Sequence, residues 1–230
     1  PDYDEGAGTR MDIMQAMEER HSVRSYRDDP IPEDILEELR SAIAERNEAG
    51  GLNIQLVLGE PEAFSGILAR GFKGVRNYLA LVGGKAEDLD ERVGYHGQHL
   101  ALMAQQLGLN TCWAAGATCR RSRCGAEVGE GEKIVCFMAL GYGVDGGRPH
   151  RNKPLESLCR TDTEMPEWFL NGMRAAMLAP TARNQQKFMI ALEDGKVRAE
   201  STGGFYSHVD LGIVRCHFEL GAGVGSFEWA

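Results

Sequence analysis

The sequence predicts a mixed α+β protein, because helical and strand-like segments alternate along the chain. Amphipathic repeats at residues 33–46 and 165–178 are separated by short apolar runs that are typical of strands. Interleaving of this kind indicates helices packed against a sheet. The chain has 230 residues, of which 43% are hydrophobic and 26% charged, enough for one large domain or two small ones.

The helices follow from apolar residues at spacings of three and four. Within residues 33–46, Ile35, Leu39 and Ile43 form one apolar stripe, and Pro32 suits the first turn. Further helices are predicted at residues 12–20, 95–107, 165–178 and 210–220.

The strands follow from short apolar and β-branched runs. Residues 133–142 are apolar nearly throughout, which predicts a strand covered on both faces. Asp194-Gly195 predicts a tight turn between strands at residues 188–192 and 196–199. Further strands are predicted at residues 54–58 and 78–82.

Charge and composition narrow the class of function. The formal net charge of -9 disfavours nucleic-acid binding, and no apolar run is long enough to span a bilayer. The six cysteines form no C-x-x-C pair, and the N-terminus does not resemble a signal peptide. We expect a cytoplasmic protein that acts on small molecules, with neither nucleic acid nor membrane as a partner. Because Met11 looks like a natural start, we interpret residues 1–10 as a leader or an expression remnant.

Arg20, Ser22 and Arg24 are the first candidate binding group. At alternate positions of an extended segment, their side chains fall on one side and offer charged and neutral donors to a phosphate. The competing interpretation is a solvated basic loop in which Arg20 complements the C-terminus of a helix. Short basic motifs are common, so these residues alone favour the competing interpretation.

Two further segments could contact a planar ligand. Residues 179–186 carry amide side chains suited to the edge of a heterocycle, although Pro180 and Asn184 would serve equally in a turn that ends a helix. Residues 108–116 are small enough for close backbone approach to a ligand, or they form a tightly packed turn from helix to strand. His96 and His99 share a helix face, but without an evident third ligand they do not predict a metal site.

These segments together resemble the FMN-binding nitroreductase family. Residues 20–24, Arg-His-Ser-Val-Arg, resemble its R-x-S-x-R signature, and residues 107–113 resemble its G-L-x-T-x-W segment. Residues 141–143 and 148–156 are similar to its closing strand and basic phosphate loop. The matches occur in family order over most of residues 11–158.

The resemblance implies an FMN site and a fold in which helices flank a mixed sheet. The residues that it implies for cofactor binding are Arg20, His21, Ser22, Arg24, Trp113, Ala114, Ala115, Gly116, Arg148, Arg151, Pro180, Thr181, Ala182, Asn184 and Gln186. It also implies hydride transfer from NADH or NADPH to FMN, and then to a small acceptor such as a nitroaromatic or a quinone. Arg24 is the candidate for stabilising the reduced flavin; no catalytic acid or base is identified. The alternatives are another flavin chemistry, or flavin binding without turnover.

One departure from the family points to a subgroup. The A-P-S-x-x-N-x-Q segment, which family members supply across a dimer interface, is degenerate at residues 49–55 and better matched at residues 179–188. In the later copy, Thr181 replaces Ser and Lys187 replaces Pro. The chain thus resembles a divergent single-chain subgroup, typified by a Thermotoga nitroreductase-related protein. That resemblance implies an FMN-binding half at residues 11–160. A partial second repeat at residues 161–230 would replace the partner subunit, so a monomer can suffice.

Overall fold

The computed structural model describes residues 10–119 and 123–230. Within them, the helices are α1 (Ile13–Glu19), α2 (Glu33–Gly50), α3 (Leu89–Gln106), α4 (Glu167–Ala176) and α5 (Ser207–Ala222). The strands are β1 (Gln55–Val57), β2 (Asn77–Gly84), β3 (Asn110–Ala115), β4 (Glu132–Gly141), β5 (Cys159–Thr161), β6 (Phe188–Glu193) and β7 (Lys196–Ser201). The predicted mixed α+β class is confirmed. The interpretation of residues 1–10 as a leader falls outside the described residues, except at Arg10.

The main sheet is antiparallel and has the strand order β1-β2-β4-β3. As predicted, β4 is buried on both faces. Cys136 and Met138 face the core that contains α3, whereas Phe137 and Ala139 face a separate apolar cluster. In that second cluster, Phe137 packs edge-to-face against Tyr78 at 5.7 Å between ring centroids.

Helices α3 and α5 cross at two glycines. A Cβ atom on Gly94 would lie 2.0 Å from the carbonyl oxygen of Val209, and one on Gly212 would lie 2.0 Å from that of Glu91. The two backbones are therefore in direct contact, an approach that side chains at these positions would prevent. This contact holds the first turn of α5 beside the main sheet.

A second, smaller sheet has the order β5-β6-β7, with β5 parallel to β6. The predicted hairpin is confirmed, with Asp194 and Gly195 both at positive φ, 52° and 74°. The predicted boundary between the FMN-binding half and the partial second repeat, at residue 160, lies inside β5. The division of the chain into these two halves stays a prediction.

Several element bounds differ from the predictions. Helix α2 runs to Gly50 rather than residue 46, and Gly51 ends it at φ 57°. Helix α3 begins at Leu89 rather than residue 95. Its first turns are mainly polar and were not predicted as helix, but Leu89 and Val93 are fully buried and anchor them to the core. Strands β3 and β5 were not predicted, since neither alternates clearly between polar and apolar residues. Among the described residues, none of the helices combines the length and apolar character needed to cross a membrane.

Substituting Gly212→Ala is expected to destabilise the fold, because the new methyl group would collide with the backbone of α3. Forcing the helices apart should lower the free energy of unfolding by about 1–3 kcal/mol, measured by urea denaturation. Gly84→Ala is the matched control, since no atom lies within 4 Å of its Cβ position. Equal losses in the two variants would contradict the close helix contact.

Candidate functional site

A cavity of about 370 Å³ lies where the segment after α4 and the start of α5 meet β3. We call it the ring cavity. Eight of the residues named from the sequence line it: Ser22, Arg24, Trp113, Ala114, Ala115, Pro180, Thr181 and Ala182. The structure thus brings together three segments that are separated by about 90 and 70 residues in the chain.

A second depression, the basic groove, adjoins the ring cavity. The two share Ser22, Arg24, Pro180, Thr181 and Arg183. The groove also contains Arg20, His21, Arg148 and Asn184 from the sequence prediction. Four arginines and no carboxylate line this groove among the described residues, although the chain as a whole carries a charge of -9.

Arg20 is a buried cation without a partner. Its side chain is 3% exposed, and its Nε and Nη1 atoms have no hydrogen-bond acceptor among the described residues. Burial lowers the pKa of Arg20 to about 10, which still leaves it charged at neutral pH. The neighbouring Cys112 and Tyr26 supply no negative charge, because burial raises the pKa of both. A buried charge is costly unless it is paired, and the burial of Arg20 does not fit a solvated loop, although Arg20 does cap the C-terminus of α1.

Residues 20–24 follow the predicted alternation in part: Arg20, Ser22 and Arg24 line the basic groove, but so does His21. The segment is extended: Ser22 forms a bridge with Thr111 of β3, and the Val23 N–H donates to the Thr111 carbonyl at 3.1 Å. Val23 is 1% exposed in the core, whereas Ser22 and Arg24 face the ring cavity and the groove.

The amides of Asn184 and Gln186 bind the loop that carries Arg151. Both side chains donate to the Arg151 carbonyl at 2.9 Å, and Gln186 Oε1 accepts from the Lys153 N–H at 2.9 Å. Gln186 is 3% exposed, and the Arg151 side chain lies outside both the cavity and the groove. These amides therefore join the two loops of the site, and Arg151 contributes its backbone.

Asp210 anchors the late segment from the first turns of α5. Its carboxylate accepts hydrogen bonds from the Ala182 N–H at 2.9 Å and from Gln185 Nε2 at 2.7 Å. Burial raises the pKa of Asp210 to about 6, partly offset by these two donors. Asp210 was not predicted, because no motif distinguishes it among the 34 acidic residues of the chain.

Tyr206 ties the same helix to the main sheet. Its hydroxyl accepts from the Gly116 N–H at 2.9 Å and donates to the Val135 carbonyl at 3.2 Å. Gly116, expected as a ring contact, therefore uses its N–H within the protein. Tyr206 has φ 55°, an uncommon conformation for an aromatic residue.

A buried polar relay orients Trp113 in the cavity wall. Trp113 Nε1 donates to Gln98 Oε1 at 3.0 Å, and Gln98 Nε2 lies 2.8 Å from His217 Nε2. His217 Nδ1 lies 2.9 Å from the Ala175 carbonyl. Burial lowers the pKa of His217 to about 3, so the ring is neutral and every group in the relay is satisfied. No group of three or more potential metal ligands occurs within residues 10–119 and 123–230.

Comparison with known proteins identifies the family. The family model described as "Putative TM nitroreductase" matches residues 12–222, most of the chain. The chain belongs to this nitroreductase family. No curated protein sequence matches it.

Solved structures of nitroreductases share the fold. A Thermotoga maritima nitroreductase is 22% identical, with a TM-score of 0.70 over 96% of this chain and 88% of that one. A Bacteroides thetaiotaomicron NADH dehydrogenase/NAD(P)H nitroreductase is 15% identical, with a TM-score of 0.51 over 64% and 95%. A Streptococcus pneumoniae family member is 12% identical, with a TM-score of 0.51 over 64% and 98%. Matches to the latter two leave about a third of this chain uncovered.

Replacing Gln98→Leu should destabilise the protein, because the indole N–H of Trp113 and the His217 ring would lose their buried partner. The expected decrease in the free energy of unfolding is about 1–3 kcal/mol, measured by urea denaturation. Gln15→Leu, at an exposed position, should change it by less than about 0.5 kcal/mol. A Gln98→Leu variant as stable as the parent would contradict the relay.

Proposed function

We propose that this nitroreductase is an FMN-dependent NAD(P)H oxidoreductase that passes electrons to a nitroaromatic, a quinone or a similar small acceptor. The observation that carries the proposal is the unpaired, buried Arg20 in a groove that opens into a cavity of mixed apolar and polar character. Such a site fits a ligand with an anionic end and a planar end.

The basic groove fits the phosphate of FMN. Arg20, Arg24 and Arg148 line the groove, and their guanidinium groups can bind phosphate oxygens in pairs. The Ser22 hydroxyl adds a neutral donor. A bound phosphate would neutralise the buried charge of Arg20, which forms no ion pair within the described residues.

The ring cavity fits the flavin ring. Its volume of about 370 Å³ is in the range of small-molecule sites, and Trp113, Ala114 and Pro180 supply apolar walls. FMN supplies the hydride and electron chemistry when bound. The protein orients the ring, limits access of water, and places Arg24 where cavity and groove meet, so that its charge stabilises negative charge developing on the ring.

We further propose that one chain completes one flavin site and can act as a monomer. Pro180, Thr181 and Ala182, from the late segment of the same chain, line the ring cavity together with residues of β3. No R-x-S-x-R motif precedes α4, where residues 164–167 read Glu-Met-Pro-Glu. A second phosphate site is therefore not expected.

Changing Arg20→Met should weaken FMN binding and at the same time stabilise the flavin-free protein. Loss of charge-assisted phosphate contacts should reduce FMN affinity at least about tenfold. Removing an unpaired buried charge should raise the free energy of unfolding of the apoprotein by about 1–3 kcal/mol. Fluorescence titration and urea denaturation measure the two effects.

Arg174→Met, on the exposed side of α4, is the control and should change neither quantity. In the parent protein, riboflavin should bind much more weakly than FMN, since it lacks the phosphate. Equal affinities would overturn the FMN assignment. If FMN binds but neither NADH nor NADPH bleaches it anaerobically, while dithionite does, the protein binds flavin without the proposed turnover.

Flavin stoichiometry tests the single-chain site. Titration of the apoprotein with FMN should saturate at one flavin per chain, and light scattering of the loaded protein should give the mass of a monomer. Two flavins per chain, or binding that requires a dimer, would contradict the proposal.

A further inference from the structure

Arg183 is placed differently from the other arginines of the site. It lines both the ring cavity and the basic groove, and its side chain is exposed. Its guanidinium lies 5.5 Å from the centroid of the Phe205 ring, in a cation–π arrangement. Among the described residues, no carboxylate forms an ion pair with it.

The backbone holds Arg183 in a specific and uncommon conformation. Its φ and ψ are 54° and 24°, in the left-handed region that non-glycine residues seldom adopt. The flanking residues are fixed on both sides: the Ala182 N–H donates to Asp210, and the Asn184 N–H donates to the Thr181 carbonyl at 2.9 Å. Strain that is maintained by surrounding contacts is common in segments that present a side chain to a ligand.

The opening of the ring cavity is apolar. Leu68 and Phe205 both line it, yet they are 69% and 52% exposed. Large apolar side chains left in solvent beside a cavity are typical of a surface that contacts a ligand. An aromatic ring entering the cavity would contact these side chains and pass the guanidinium of Arg183.

The charge balance leaves Arg183 available for a second anion. Arg20, Arg24 and Arg148 suffice for the phosphate in the groove. Asp210 is the carboxylate on the cavity wall, and its oxygens already accept from Ala182 and Gln185. Negative charge on a ligand at the cavity opening would therefore meet the cation rather than the carboxylate.

We propose that Arg183, with Phe205 and Leu68, forms an acceptor subsite that selects planar aromatic substrates carrying a negative charge, such as aromatic carboxylates or sulfonates. The guanidinium binds the anionic group in a bidentate manner, while the apolar side chains contact the aromatic ring. This inference rests on the proposed function, since it concerns the acceptor of the same flavin site.

The test compares two acceptors that differ in charge, 4-nitrobenzoate and 4-nitrobenzyl alcohol, with the FMN-loaded protein. The ratio of their kcat/KM values should fall by about five- to tenfold in Arg183→Gln, and Arg183→Lys should restore part of it. Arg174→Gln removes one charge elsewhere and should leave the ratio unchanged. Added salt should lower the ratio in the parent and much less in Arg183→Gln.

Binding without turnover gives a second readout. Calorimetric titration of the oxidised, FMN-loaded protein with naphthalene-2-sulfonate and with 2-naphthalenemethanol should show the same preference for the anion, lost in Arg183→Gln. If Arg183→Gln changes neither the ratio of kcat/KM values nor the preference for the anionic naphthalene, the subsite is overturned. If the main defect of Arg183→Gln is weaker FMN binding, Arg183 is a phosphate ligand and the subsite is overturned as well.

An increase in KM confined to NADPH would also overturn the proposal, because Arg183 would then serve the hydride donor. These outcomes are distinguishable from failure of the proposed function. A protein that binds no FMN, or whose flavin no nicotinamide reduces, loses the function; a protein that turns over both acceptors alike loses only the subsite.

Discussion

The contact between the backbones of α3 and α5 is the constraint on which the site depends. Gly94 and Gly212 let the helices approach until no side chain fits between them. This approach holds Tyr206 beside the main sheet, where its hydroxyl accepts from the Gly116 N–H, and holds Asp210 beside the segment after α4, where it accepts from the Ala182 N–H. A wider helix spacing would move the late segment away from β3 and open the ring cavity.

Several residues of the site have energetically unfavourable arrangements, which the stability of the remaining fold offsets. Arg20 is a buried charge that has no ion-pair partner in the part of the chain that the structure describes, and Arg183 and Tyr206 adopt left-handed backbone conformations. Neither arrangement stabilises the folded chain by itself. Under the proposed function, a bound anion would offset the cost of burying Arg20, which is the usual relation between stability and function at binding sites.

Polar groups in the interior keep the site rigid. The relay from Trp113 through Gln98 to His217 satisfies each donor and acceptor, and the Gln186 amide joins the late segment to the loop at residues 151–153. Fully satisfied networks of this kind define one arrangement of the walls. The cavity is therefore shaped by hydrogen bonds between segments distant in the chain as well as by apolar packing.

The sequence by itself predicted most of the local elements and several residues that line the basic groove, because both depend on short-range patterns. Apolar periodicity predicted α2, a continuous apolar run predicted β4, and the alternation of residues 20–24 placed Arg20, Ser22 and Arg24 on one side. Only the tertiary structure revealed the contacts of Asp210, Arg183 and the Gln98 relay. These residues act through partners 15 to 119 positions away, and no local pattern records such a contact. It also showed that Arg20 is buried and has no partner within residues 10–119 and 123–230, since burial arises only when the chain folds around it.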